Sequence, residues 1–238
     1  MATAATGVSI DMTTSGTATF NLDLSEIIEE AFERCGAELR SGYDFRTARR
    51  SLNIMFQEWA NRGINLWTLE QGTVTLTPGT ATYALPADTV DLLDHVIRTG
   101  SGTTQADITI SRISSSTYSS IPTKTSTGRP IQVWIQRLNT PQITVWPTPD
   151  SSQTYTFIYW RLRRIQDAAD GVNTMDVPFR FFPALVCGLA YYLSMKIPDA
   201  MVRMDVLKAQ YDEAWNNAAE EDREKAPVRF VPRYMFGR

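Results

Sequence analysis

The hydrophobic period of this chain changes twice, and that change limits its architecture more than any other feature. Residues 24–59 place their apolar side chains three and four apart, the helical spacing. "GTVTLTPGTATYALP" (72–86) alternates apolar and polar residues on both sides of Pro78-Gly79, the strand spacing. Beyond residue 180 the helical period returns. Helices therefore flank a β region, which excludes an all-α bundle and an alternating β/α fold.

The first helix follows from "DLSEIIEEAFERCGAEL". Asp23 stands as its cap, with Glu26 three residues on as in a capping box. Leu24, Ile27, Ile28, Ala31, Phe32 and Cys35 form one face, while Glu29, Glu30 and Glu33 fall on the solvent side. Gly42 breaks this helix. "YDFRTARRSLNIMFQEWANRG" gives a second one, expected to be capped by Asp44 and ended by Gly63. Phe45, Ala48, Leu52, Met55, Phe56 and Trp59 point inward, and the short connection favours an antiparallel helical hairpin.

The alternation around Pro78-Gly79 predicts a β-hairpin. "VDLLDHVIRTG" and "ADITISRI" are further strands, and "SSSTYSSIPTKTSTGRP" is a loop with room for one helical turn. "IQVWIQR", "QITVWP" and "YTFIYWRLRR" complete the β region. Pro178 and Pro183 set the next helix start near residue 180, because proline is tolerated only in a first turn. That helix is apolar nearly all round and belongs at the centre. Pro198 ends it, and Asp199 is expected to cap one long final helix reaching residue 225. Met204, Leu207, Tyr211, Trp215 and Ala218 make its inward stripe.

The expected fold class is α+β: an antiparallel helical bundle with an inserted antiparallel β-sandwich or barrel-like region and extended N- and C-terminal arms. The divisions are an N-terminal arm at 1–22, a helical domain from 23–69 and 166–225, an inserted β domain at 70–165, and a C-terminal docking tail at 226–238. That tail, "APVRFVPRYMFGR", carries Arg229, Arg233 and Arg238 with Phe230, Tyr234 and Phe236, and no acid. Arginine and aromatic side chains are the common anchors of interfaces, and two prolines stiffen the segment.

Composition narrows function by exclusion. A formal net charge of −3 gives no general basic character that would suit nucleic-acid binding. The N-terminal stretch lacks the basic and apolar regions of a signal peptide, and "FFPALVCGLAYYLSM" is too short to span a membrane. The expectation is a soluble chain made inside the cell, with Cys35 and Cys187 as buried free thiols. His95 is the single histidine and reads as structural. With one His and two distant Cys, no metal-ligand set or Ser–His–Asp arrangement can be assembled, so no catalytic residue, metal or cofactor is expected. "TGSGTT" is a turn, lacking the third glycine of a dinucleotide loop. Arg46, Arg49 and Arg50, and Arg161, Arg163 and Arg164, are read as salt-bridge formers rather than phosphate contacts. Acidic runs such as Glu220, Glu221, Asp222 and Glu224 are ordinarily solvated faces.

The order of a helix pair, "TYALP", "GRPIQVWIQR", "ITVWPTPD", "YTFIYWRLRR", "DVPFRFFPALVCGLAYYLSMK" and an acidic "YDEAWNNAAEEDRE" helix resembles the head-to-tail adaptor family of short-tailed phages. These proteins are often called tail tubular protein A or head completion protein. The resemblance covers most of residues 23–225, with "WPTPD" and the Pro-flanked apolar helix its most telling pieces. It implies a structural virion protein at the head–tail junction, made in the host cytoplasm and without enzymatic activity. Such adaptors form a homo-oligomeric ring, a dodecamer, that docks on the portal protein, extends the DNA channel and offers a platform for the tail nozzle protein. Genomic DNA would pass without sequence-specific binding. The tail residues Arg229, Phe230, Arg233, Tyr234, Phe236 and Arg238 fit the portal-docking role, and Glu220, Glu221, Asp222 and Glu224 would suit an acidic channel face. The free chain is expected to be a monomer or small oligomer, with the loops near 100–104 and 121–129 facing the tail.

Two other classes are open on the residues alone. Trp134, Trp146, Tyr159 and Trp160 could form a stacking platform for a carbohydrate- or receptor-binding tail module. The acidic clusters could serve a peptidoglycan hydrolase.

Overall fold

The computed structural model describes residues 15–63, 66–100 and 102–223. The first helix, α1 (Leu24–Cys35), begins at a capping box in which Asp23 accepts from the Glu26 amide and Glu26 accepts from the Asp23 amide. All six residues of its expected inner face are buried. Gly36 closes it in the left-handed conformation, at φ 76°, where a Cβ would also crowd the Arg203 guanidinium.

The second helix, α2 (Gly42–Arg62), corrects one expectation. Its cap is Ser41, and Asp44 is the third helical residue that reaches back to the Ser41 amide at 3.1 Å. Both residues suit a helix start, and the capping box needs one at each end of a four-residue span.

In the β region, β1 (Leu69–Leu76), β3 (Thr89–Thr99), β4 (Ala106–Thr109) and β8 (Tyr155–Arg163) form one sheet in the order β1-β8-β3-β4. A second sheet has the order β2-β7-β6-β5, built from β2 (Thr82–Ala84), β5 (Ser111–Ile113), β6 (Gln132–Gln136) and β7 (Gln142–Trp146). The hairpin expected at Pro78-Gly79 does not form. Its two arms turn at Thr77–Thr80 and then part, β1 pairing with β8 and β2 with β7. The three-residue β2 is too short to cover the eight residues of β1, which pair along their whole length with β8. The second sheet also departs from strict antiparallel order, since β5 runs parallel to β6. Neither sheet closes into a barrel. Leu76, Ile97, Phe157 and Tyr159 of the first sheet share one buried cluster with Val133, Ile135, Ile143 and Val145 of the second. The expected single helical turn is α3 (Ser115–Ser120), capped by Ser114.

A second cluster gathers the helices. The 3-10 turn Phe179–Phe181 leads into α4 (Phe182–Ser194), ten of whose residues are buried, so it is the central helix that its composition demanded. Gly188 lets its neighbours close in: a Cβ there would lie 2.5 Å from Met55 Sδ and 2.8 Å from the Tyr211 ring. The last helix is shorter than expected. Residues Pro198–Arg203 form a 3-10 helix, and α5 (Met204–Glu221) follows without a side-chain cap. Asp199 thus sits in the first turn of the 3-10 segment rather than capping a long α-helix, because Pro198 immediately before it starts a tighter turn there.

Candidate interface surfaces

The acidic face of α1 borders a groove. Its opposite wall comes from Met175, Val177, Phe179, Phe182, Pro183 and Val186, and residues 18–22 of the N-terminal arm close one side. The cavity has a volume of about 1080 Å³. Its shape is held by the chain that enters α1: the Leu24 amide donates to Asn173 O, the Ser25 amide and hydroxyl to Gly171 O, and Asp23 bridges Thr174. Phe20 and Phe179 are 77% and 75% exposed, which leaves two aromatic rings facing water at the groove.

Glu26, Glu29, Glu30 and Glu33 form the rim, one above another at three- and four-residue steps. Glu26 is engaged by the Asp23 amide and Glu30 by Arg34 at 2.8 Å. Glu29 and Glu33 form no ion pair among the described residues. An apolar floor under a carboxylate rim suits an extended segment with aromatic and cationic side chains. The sequence placed these glutamates on the solvent side; it did not show that residues 175–186 fold up opposite them.

A second cleft, of about 430 Å³, runs between α4 and α5 and shares Arg34 and Pro183 with the groove. At its far end the acidic set divides. Glu220 and Glu221 are exposed on the last turn of α5. Asp222 is buried, where it accepts from Arg180 and from the Leu66 amide at 3.0 Å. It therefore cannot belong to a solvated acidic face; a buried carboxylate persists only when paired. Glu224 lies outside the described residues, as do Arg229, Phe230, Arg233, Tyr234, Phe236 and Arg238.

Titratable side chains in the interior serve packing. Glu58 accepts from the Tyr192 hydroxyl and from Arg62 at 2.5 and 3.0 Å. Burial acts to raise its pKa, but those hydrogen bonds outweigh it and hold the carboxyl below its ordinary value. The Arg62 guanidinium in turn lies 4.8 Å over the Tyr211 ring and 4.9 Å over Trp215, while Trp59 Nε1 donates to the Tyr211 hydroxyl at 2.8 Å. This network joins α2, α4 and α5. Cys35 and Cys187 are buried free thiols, and burial pushes Cys35 up to about 11. His95 is buried against Phe157 with neither ring nitrogen in a hydrogen bond of good geometry. Burial, and then the Arg112 charge, lower its pKa. Among the described residues no cluster of His, Cys, Asp or Glu is arranged to hold a metal ion, and no helix is long and apolar enough to cross a membrane.

The arginine clusters divide. Arg161 is nearly buried and bonds Glu70 at 2.7 Å, Asp88 at 2.6 Å and Thr89 at 2.9 Å. Arg163 pairs with Asp176. Arg49 donates to Ala169 O at 2.7 Å, and Arg46 to Gly42 O at 3.2 Å. Arg161 and Arg163, and Arg49 at 4.0 Å from Asp170, thus do the salt bridging that their composition suggested.

The four aromatic residues of the possible stacking platform do not meet. Tyr159 is buried in the β core, and Trp160 points the other way from the same strand. Trp134 and Trp146 belong to the second sheet, where Tyr118 stacks on Trp134 at 5.0 Å and Trp146 Nε1 donates to Thr123 O.

The family model described as SU10 adaptor protein matches residues 22–231, from the edge of the groove through both cores. A search of curated proteins finds no match.

Proposed function

Because the chain belongs to the SU10 adaptor protein family, a family of phage head–tail adaptors, we propose that it acts by assembly and catalyses no reaction. Membership makes it a structural virion protein at the junction of head and tail. The finer reading is a ring, a dodecamer, that seats on the portal protein, prolongs the DNA channel and receives the tail nozzle protein. The observation that carries it is the match of one adaptor family across residues 22–231, through helices and sheets alike.

In this reading the helices of 23–69 and 166–225 build the ring, and the β region of 70–165 faces the tail. One feature supports the second placement. The 121–129 loop is polar but tied down, with Ser126 O accepting from the Thr148 amide and Gly128 N donating to Thr148 O. Such a loop offers a shaped surface beside the end of β7. Residues 226–238 dock on the portal through Arg229, Phe230, Arg233, Tyr234, Phe236 and Arg238. Exposed Glu220 and Glu221, with Glu224, would repel a passing phosphate backbone, and Asp222 has no part in that face.

An image of the protein bound to portal-bearing heads tests the ring. A chain ending at Lys225 should fold with near-normal melting yet fail to attach to those heads. Normal attachment of the truncated chain, with DNA retained, would remove the docking role from the tail.

A further inference from the structure

The groove has a carboxylate rim, an apolar floor and no occupant among the described residues. We propose that in the free subunit it seats the chain's own C-terminal segment, residues 226–238. This does not depend on what the segment binds in the virion.

The chemistry of the two surfaces is complementary. The groove offers Glu29 and Glu33, which have no ion-pair partner among the described residues, beside the exposed rings of Phe20 and Phe179. The segment offers three arginines, three aromatic residues and no acid. Glu29 and Glu33 stand roughly 6 Å apart along a helix at 1.5 Å per residue, and Arg229 and Arg233 about 13 Å apart in extended chain at some 3.3 Å per residue. Long guanidinium side chains close that difference, so an extended segment can turn both arginines toward the carboxylates while Phe230 and Tyr234, on its other face, reach the floor.

The path of the chain favours its own segment over one from another copy. The described backbone ends just past Asp222, which is clamped to Arg180. Arg180 lines the second cleft, and that cleft shares Arg34 and Pro183 with the groove. Five residues, 224–228, extend as far as roughly 17 Å. A tether that short presents its own segment at an effective concentration on the order of millimolar, far above that of a second copy in dilute solution.

The test uses a fluorescent peptide of residues 226–238 and full-length chains. One chain carries Phe230→Ala, Tyr234→Ala and Phe236→Ala, which disables its own segment and leaves the described fold untouched. The peptide should bind this chain and bind wild-type protein at least tenfold more weakly, at concentrations where both sediment as monomers. Adding Glu29→Lys and Glu33→Lys to the disabled chain should weaken peptide binding about tenfold. Both positions are exposed, and circular dichroism would confirm that the helices persist. In parallel, a Phe179→Cys/Tyr234→Cys chain should form an intrachain disulfide under mild oxidation as a monomer.

Four results would overturn the proposal. The peptide could fail to bind the disabled chain, or bind wild-type protein equally well. Charge reversal could leave its affinity unchanged. Wild-type protein could exclude the peptide only where it self-associates, which would make a second copy the occupant.

Discussion

Asp176 receives both arms of the Arg163 guanidinium, at 2.5 and 3.0 Å. The same carboxylate accepts from the Gln166 amide at 3.1 Å, and the carbonyl of Asp176 accepts from Trp67 Nε1 at 3.1 Å. Arg163 ends the strand β8 of the β region, while Trp67 packs on the helical core. One residue thus ties together the two places where the chain passes between the cores.

Removing that tie should cost stability. Asp176→Ala leaves a largely buried guanidinium without its partner, a loss of roughly 2–3 kcal/mol. Urea unfolding should show a lowered midpoint, and Asp176→Asn should recover only part of it. An unchanged midpoint would mean that the junction is held by packing alone.

Gly188 is the second test. Its missing side chain admits Met55 and Tyr211 closer than any Cβ would permit. Gly188→Ala should destabilise the protein by about 1–3 kcal/mol through overpacking, despite alanine's better helix propensity. Thermal melting of the variant decides between the two effects, and a rise in Tm would show that the helices can spread at little cost.

His95 makes the β region sensitive to mild acid. Its folded pKa lies below the ordinary value because burial, then Arg112, disfavours the charged ring, with Asp94 opposing. The unfolded chain therefore takes up the proton first. The stability that the neutral ring contributes is present above its ordinary pKa of about 6.5 and is lost as pH falls from there toward the folded value. The urea midpoint should drop between pH 7.5 and 5.5, and His95→Leu should flatten that drop. Asp88 and Glu58, both held below their ordinary values, lose their contributions only at lower pH.

Both thiols should be slow to react. Cys35, pushed up to about 11 by burial, donates to Ala190 O at 3.1 Å, and Cys187 is raised by burial as well. A disulfide reagent at pH 8 should label them at the rate of unfolding, then at once in denaturant. Rapid labelling of native protein would contradict the packing of α1 on α4.

The helices were legible because each carries its own instructions. α1 shows its cap, its box and its buried face between Asp23 and Cys35, and Pro178 and Pro183 announce the start of α4. The sheets were less so. Alternation at 72–86 identifies two strands, yet it says nothing of partners, and β1 and β2 found theirs some 60 to 90 residues away in β7 and β8. Parallel pairing of β5 with β6 leaves no local trace either. Within the acidic run, Asp222 looks like its neighbours, and only the distant Arg180 and Leu66 distinguish it. The groove fails for the same reason: the glutamates of α1 were visible, whereas their apolar counterpart lies about 150 residues further on.

The pairing of β1 with β8 places Leu69 directly across from Leu162. The strand by which the chain enters the β region and the strand by which it leaves run side by side, within about 5 Å. Everything between them is consequently a cassette on a closed doorway. Its loops can lengthen or shorten while the strands of entry and exit stay the same distance apart.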